Sequence, residues 1–175
     1  MTMAEADTAG SAPAGGPVRR RFGRRKFDTQ PAQPAAVLIA SNGVAVPNAA
    51  LRLARRVSGG EAIAVVSIAR LYGSGLGLQN PGLMPTRKEL AEQREIVERA
   101  VSSLEKSGSE AWGQVAITRR PAKTIAQAAR ARGVGHVIVV RPVQPARWRR
   151  TVEGDLVKEV AHKLGSDVEV EGVSP

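Results

Sequence analysis

The segment from Arg141 to Asp155 has the residue types and the position that most suggest ligand chemistry. It follows an apolar run at 137–140 and leads into a helical pattern, which is where α/β proteins place their phosphate-binding loops. Such loops need glycine, because the backbone must approach the phosphate closely. Gly154 is the only glycine in this segment, and arginines and prolines fill much of the rest. The sequence therefore predicts a loop in the right place with residues that disfavour phosphate.

The arginines offer a second way to hold an anion at the same place. Arginine binds phosphate through paired hydrogen bonds, and a tryptophan can stack on a base. We call these residues the cationic rim: Arg119, Arg120, Arg141, Arg147, Trp148, Arg149 and Arg150. The alternative, which we favour because no glycine leaves room beside Trp148, is a solvated basic loop with that ring packed against the sheet edge.

Residues 1–34 differ in composition from the rest of the chain. They are rich in Ala, Gly, Pro, Ser and Thr without a hydrophobic period, which predicts a disordered basic N-terminal tail. The net charge of the whole chain is +10. Six of its cations lie together in this tail, at Arg19, Arg20, Arg21, Arg24, Arg25 and Lys26. Such a cluster attracts polyanions, among them RNA, DNA or a ribosome, or it keeps the domain soluble.

Residues 35–175 alternate between short apolar runs and amphipathic segments. Continuous apolar runs are typical of strands that are covered on both faces. The runs lie at 36–40, 62–68, 112–118, 136–140 and 167–173, with helical patterns beginning near Pro47, Thr86, Pro121 and Asp155. This order predicts an α/β fold, a doubly wound open parallel five-stranded sheet with helices on both faces. We expect any ligand beyond the carboxyl ends of the strands.

The order and spacing of these elements resemble the universal stress protein family over residues 35–173. The resemblance implies a Rossmann-like, adenine nucleotide alpha hydrolase-like fold. ATP-binding members of that family carry Gly-x-x-Gly, nine residues, and then Gly-Ser or Gly-Thr after the fourth strand. Anchored on Gly154, these positions read Arg141, Gln144, Gly154 and Asp155. The spacing is kept while three of the four residues differ.

Two other turns depart from the family pattern. The turn after the first strand has Asn42, followed by Gly43, where ATP binders have Asp, and a Gly-Asp-Pro-like turn reads Arg119-Arg120-Pro121. The resemblance therefore implies a degenerate nucleotide site at Asn42, Gly43, Arg119, Arg120, Arg141, Gln144, Trp148, Gly154 and Asp155. We expect Asp155 to cap the helix that it begins, and its charge opposes a polyphosphate. We expect no cofactor, with ATP or cyclic AMP possible but disfavoured.

Several functional classes are disfavoured by composition. The chain has no cysteine and two histidines, so we expect no metal site, and no motif suggests an enzyme. No apolar run is long enough to cross a bilayer and no secretory signal is evident, so we expect a cytoplasmic protein.

The last strand is expected to be an apolar edge at Val168, Val170 and Val173, which favours a homodimer because an open edge invites association. The family's fifth strand often pairs across a dimer. The sequence leads us to expect a non-enzymatic regulatory domain of the stress response that acts through protein contacts. The alternatives are nucleotide binding through the cationic rim and polyanion binding through the tail.

Overall fold

The structure, a computed structural model, describes residues 32–70, 84–141 and 155–174. The predicted tail cations, Gln144, Trp148 and Gly154 lie outside the described residues. The strands are β1 (Val37–Ser41), β2 (Ile63–Arg70), β3 (Ala111–Thr118), β4 (His136–Val140) and β5 (Glu169–Val173). The helices are α1 (Asn48–Ser58), α2 (Arg87–Lys106), α3 (Pro121–Arg132) and α4 (Leu156–Leu164).

The five strands form one sheet in the order β3-β2-β1-β4-β5, and every pairing between neighbours is parallel. β1 is central, with Ile39 opposite Val65 of β2 on one side and Ile138 of β4 on the other. All five residues of β1 are buried, as are all five of β4. The predicted parallel five-stranded sheet is confirmed.

Two aliphatic cores cover the two faces of the sheet. On one face, α3 and α4 pack Ile125 and Val160 against the strand residues Leu38 and Val137. On the other face, the core contains residues of α1 and α2 together with those of β1, β2 and β4; its members include Leu51, Leu53, Leu104, Val37, Ile39, Val65 and Ile138. The continuous apolar strands follow from this burial, since a strand covered on both faces has no polar side.

Local hydrogen bonds fix where α2 begins. Thr86 Oγ1 accepts from the Glu89 backbone N–H at 3.2 Å, and the Thr86 N–H donates to Glu89 Oε2 at 2.6 Å. This pair of bonds is a capping box, which satisfies amides that a helix start leaves open. The backbone hydrogen bond from Thr86, with a smaller contribution from its side chain, lowers the pKa of Glu89 below its ordinary value.

The packing of β3 against α2 is tight at Gly113. A Cβ atom added at Gly113 would lie 3.0 Å from Val101 Cγ2 and would overlap Val97 Cγ1. Both valines belong to α2, and a β-branched side chain on a helix has little freedom to move aside. Gly113 therefore lets α2 lie close to the edge strand.

We expect Gly113→Ala to lower the free energy of unfolding by about 1–3 kcal/mol, because the added methyl group displaces the α2 valines. Urea unfolding followed by circular dichroism measures this change. Gly135→Ala is the matched control, since a Cβ there would meet no atom within 4 Å. If the two variants were equally stable, the packing of β3 against α2 would not depend on a glycine at position 113.

Candidate functional site

The carboxyl ends of the strands form the edge of the sheet where a ligand is expected. The strand order reverses at β1, because β2 and β3 lie on one side of it and β4 and β5 on the other. In sheets of this kind the crevice at such a reversal is the usual binding position. Asn42 and Gly43 follow β1, and Arg141 follows β4. The fold thus brings the backbone of three predicted site residues to neighbouring positions.

The turn after β1 is closed by its own hydrogen bonds. The buried Ser41 hydroxyl accepts from the Val44 N–H at 3.2 Å and donates to the Val44 carbonyl oxygen. Gly43 has a φ of 77°, a left-handed conformation that favours glycine. The side chain of Ser41 is therefore engaged in holding the turn.

A polar link from α2 reaches the same turn. The buried Ser67 hydroxyl of β2 donates to Gln93 Oε1 at 2.5 Å, and Gln93 Nε2 lies 3.6 Å from the position a Cβ would take at Gly43. Gln93 thus spans the space between β2 and the turn after β1. We did not predict this link from the sequence, although a serine inside an apolar strand signals it, because a buried hydroxyl needs a partner.

Arg119 and Arg120 lie at the other side of this edge. Both are exposed, in the turn between β3 and α3, and the Arg120 N–H donates to Thr118 Oγ1 at 3.0 Å. β3 is three strand positions from β4, which is about 14 Å at the usual strand spacing. The two arginines and Arg141 therefore begin on opposite sides of the crevice, separated by β2 and β1.

The side chain of Arg141 extends over β5. Its guanidinium Cζ and Nη2 both lie 2.8 Å from the position a Cβ would take at Gly172, and its backbone N–H donates to the Val173 carbonyl at 2.8 Å. β5 lies on the side of β4 away from β1. The charge of Arg141 is consequently directed away from the crevice between β1 and β4.

Asp155 is the N-cap of α4, as the sequence predicted. Its Oδ1 accepts from the Val157 backbone N–H at 3.1 Å. The free amides at a helix start are the groups that attract a phosphate, and here the carboxylate itself satisfies one of them. The negative charge of Asp155 also favours the helix dipole, while it opposes an incoming anion.

The predicted edge valines pack partly inward. Val168 and Val170 are half-buried against the core beneath α3 and α4, and Val173 packs against the other core. Glu169 N–H donates to Gly135 O, and Val173 O accepts from Arg141, so these residues direct their backbone groups toward β4. Because strand residues alternate, Val170 and Gly172 direct theirs outward. The outer edge of β5 therefore presents backbone N–H and C=O groups more than valine side chains.

The described parts of the chain contain no helix that is both long and apolar enough to span a membrane. Within those same parts, no three His, Asp or Glu side chains are grouped in a way that would hold a metal ion.

No protein-family model and no curated protein matches the chain, but several solved structures do. A universal stress protein from Archaeoglobus fulgidus, solved in complex with dAMP, is 17% identical, with 83% of this chain and 98% of that chain covered and a TM-score of 0.49. A protein of the universal stress protein family from Burkholderia pseudomallei is 12% identical, with 79% of this chain and 95% of that chain covered and a TM-score of 0.53. The second likeness shows the fold, which is universal stress protein-like as the resemblance implied.

We expect Asp155→Ala to destabilise the protein by about 1 kcal/mol, because the Val157 amide loses its cap. Asp155→Ser retains a capping oxygen and should stay within about 0.5 kcal/mol of the wild type. Chemical unfolding curves of the three proteins make the comparison. Equal losses in the two variants would mean that charge, and not the capping hydrogen bond, is what Asp155 contributes.

Proposed function

We propose that this chain is a non-enzymatic regulatory domain of the universal stress protein type, acting in the stress response through protein contacts, with a degenerate nucleotide site. The observation that carries the proposal is the cap that Asp155 forms on α4. A carboxylate occupies the helix start where a hydroxyl and open amides would be needed to hold phosphate.

The surroundings of Asp155 support the same conclusion. Arg141 stands where the family pattern has its first glycine, and its guanidinium lies over Gly172 instead of facing β1. Gln93 spans the space beside Gly43. Each feature removes either an attractive group or open space from the crevice, so the proposal does not depend on one altered position.

The arrangement of the nucleophilic and basic side chains also supports a role without catalysis. Ser41 and Ser67 are buried and hydrogen-bonded to Val44 and Gln93. His136 begins β4 at the opposite edge of the sheet, where its Nδ1 lies 3.3 Å from Glu169 Oε2. A serine activated by a histidine would need the two within hydrogen-bonding reach.

Restoring the family residues tests the degenerate site. We expect Arg141→Gly/Gln144→Gly/Asp155→Ser to raise the affinity for ATP by about tenfold or more, because open amides replace side chains. Calorimetry with ATP, ADP and cyclic AMP measures this, and Arg141→Ala or Trp148→Ala alone should leave the wild-type affinities unchanged. Sub-millimolar binding that is lost in either single variant would instead support nucleotide binding through the cationic rim.

A homodimer through β5 is part of the proposal. Within the described residues β5 pairs with β4 alone, and the outward backbone groups of Val170 and Gly172 can pair with a second copy. The protein partner of this domain would then bind a dimer, and we expect it to do so in the cytoplasm. The tail cations favour a polyanion as an additional partner.

We expect the protein to sediment with twice the 18.5 kDa mass of the chain. Val170→Pro removes an outward N–H and should give monomers, whereas Val170→Ala keeps that N–H and should remain dimeric. Analytical ultracentrifugation compares the three proteins at one concentration. A monomeric wild type, or a dimer that survives Val170→Pro, would rule out pairing through this edge.

A further inference from the structure

Helix α1 has an unusual distribution of charge. Its eleven residues include Arg52, Arg55 and Arg56 and no acidic residue. Residues three and four apart on a helix are neighbours, so the three guanidinium groups extend from one face. Like charges at this spacing destabilise a helix by about 0.2–0.5 kcal/mol per pair. The helix dipole offsets part of this cost, because Arg55 and Arg56 lie in the last turn.

The three arginines line a groove at the edge of the sheet opposite the candidate nucleotide site. The groove has a volume of about 420 Å³ and is also lined by small residues of two helix ends: Ser58, Gly60, Ser107, Gly108 and Ser109. No carboxylate is among these lining residues. The groove is open to solvent, so a ligand in it would stay partly hydrated.

The arginines are not engaged by the described part of the protein. No ion pair among the described residues involves Arg52, Arg55 or Arg56, and all three side chains are exposed. By contrast, Arg99 on the neighbouring helix is paired with Glu95 at 2.6 Å. Three guanidinium groups on one helix face thus keep their hydrogen-bond donors available.

Most of the other polar groups that line the groove are already hydrogen-bonded within the protein. The Ser58 hydroxyl donates to the Arg55 carbonyl at 3.2 Å, and the Ser107 hydroxyl donates to the Ser103 carbonyl at 2.6 Å. The N–H groups of Ser107, Gly108 and Ser109 all donate to carbonyls of the last turn of α2. An anion in this groove would therefore be held by guanidinium groups, with the Ser109 hydroxyl within the lining.

We propose that this groove, which we call the α1 arginine groove, binds an oligophosphate group, either free or as the phosphate part of a nucleotide. Arginine forms paired, charge-assisted hydrogen bonds with phosphate oxygens. The lining has no aromatic residue on which a base could stack, so recognition is limited to the phosphates. Glu61 and Glu110 follow the lining residues in sequence and lower the local positive charge. Because the three arginines are exposed, salt screens their attraction and the affinity should fall as salt rises.

Inorganic tripolyphosphate is the probe, measured by calorimetry on the full chain at 50 mM and again at 200 mM salt, about the range over which exposed charges become screened. We expect binding that Arg52→Ala/Arg55→Ala/Arg56→Ala weakens by about tenfold or more. The control Arg87→Ala/Lys88→Ala/Arg94→Ala removes the same charge from the exposed first half of α2 and should change the affinity by about twofold at most. Thermal melts establish that both variants remain folded.

Three further results bear on the proposal. ATP binding with the affinity of tripolyphosphate supports recognition of the phosphates alone, and Arg141→Ala should leave both affinities unchanged because Arg141 lies at the other edge of the sheet. Equal weakening by the arginine variant and the control would show diffuse attraction and overturn the groove. Binding of an oligothymidylate strand without binding of tripolyphosphate would also overturn it, in favour of a nucleic-acid surface.

Discussion

The burial of β1 on both faces is the constraint that arranges the other elements. Its five residues lie between two helix layers and between β2 and β4, so no polar side chain other than the terminal Ser41 fits there. A buried polar group without a partner is costly, and the polar groups nearest β1 in the described residues therefore lie at the two ends of this strand. At the carboxyl edge Ser41 closes its turn, and at the opposite edge the helix ends provide serines, glycines and arginines.

The direction of the helices then decides the sign of charge that each edge favours. In a parallel sheet every connecting helix begins at the carboxyl edge and ends at the opposite edge, so helix starts attract anions at one edge and helix ends attract cations at the other. Two of these helices follow this rule, with Asp155 at the start of α4 and Arg55 and Arg56 at the end of α1. For ligands these charges act in the opposite sense: Asp155 opposes an anion at the start of α4, while the arginines at the end of α1 supply the donors of the proposed groove.

The fold could be predicted from the sequence because its determinants are local. Apolar runs mark the strands, and the Thr86–Glu89 capping box marks the start of α2. The site could be predicted less well, because its geometry depends on contacts between distant segments. Ser67 and Gln93 are 26 residues apart, and no local pattern pairs them. Spacing also could not reveal that Arg141 extends over Gly172, since strand order determines which strand lies beside β4.

The structure describes the two end residues of the segment that the sequence singled out, Arg141 and Asp155. One end directs its charge over β5, and the other places a carboxylate against one amide of the first turn of α4. An anion at this crevice would be held by open amides and nearby cations, and here the first end directs its cation elsewhere while the second satisfies one of the amides. In the α1 arginine groove, by contrast, the exposed guanidinium groups of Arg52, Arg55 and Arg56 carry the proposed phosphate contacts. The charge chemistry of this fold thus favours the edge that its family resemblance did not indicate.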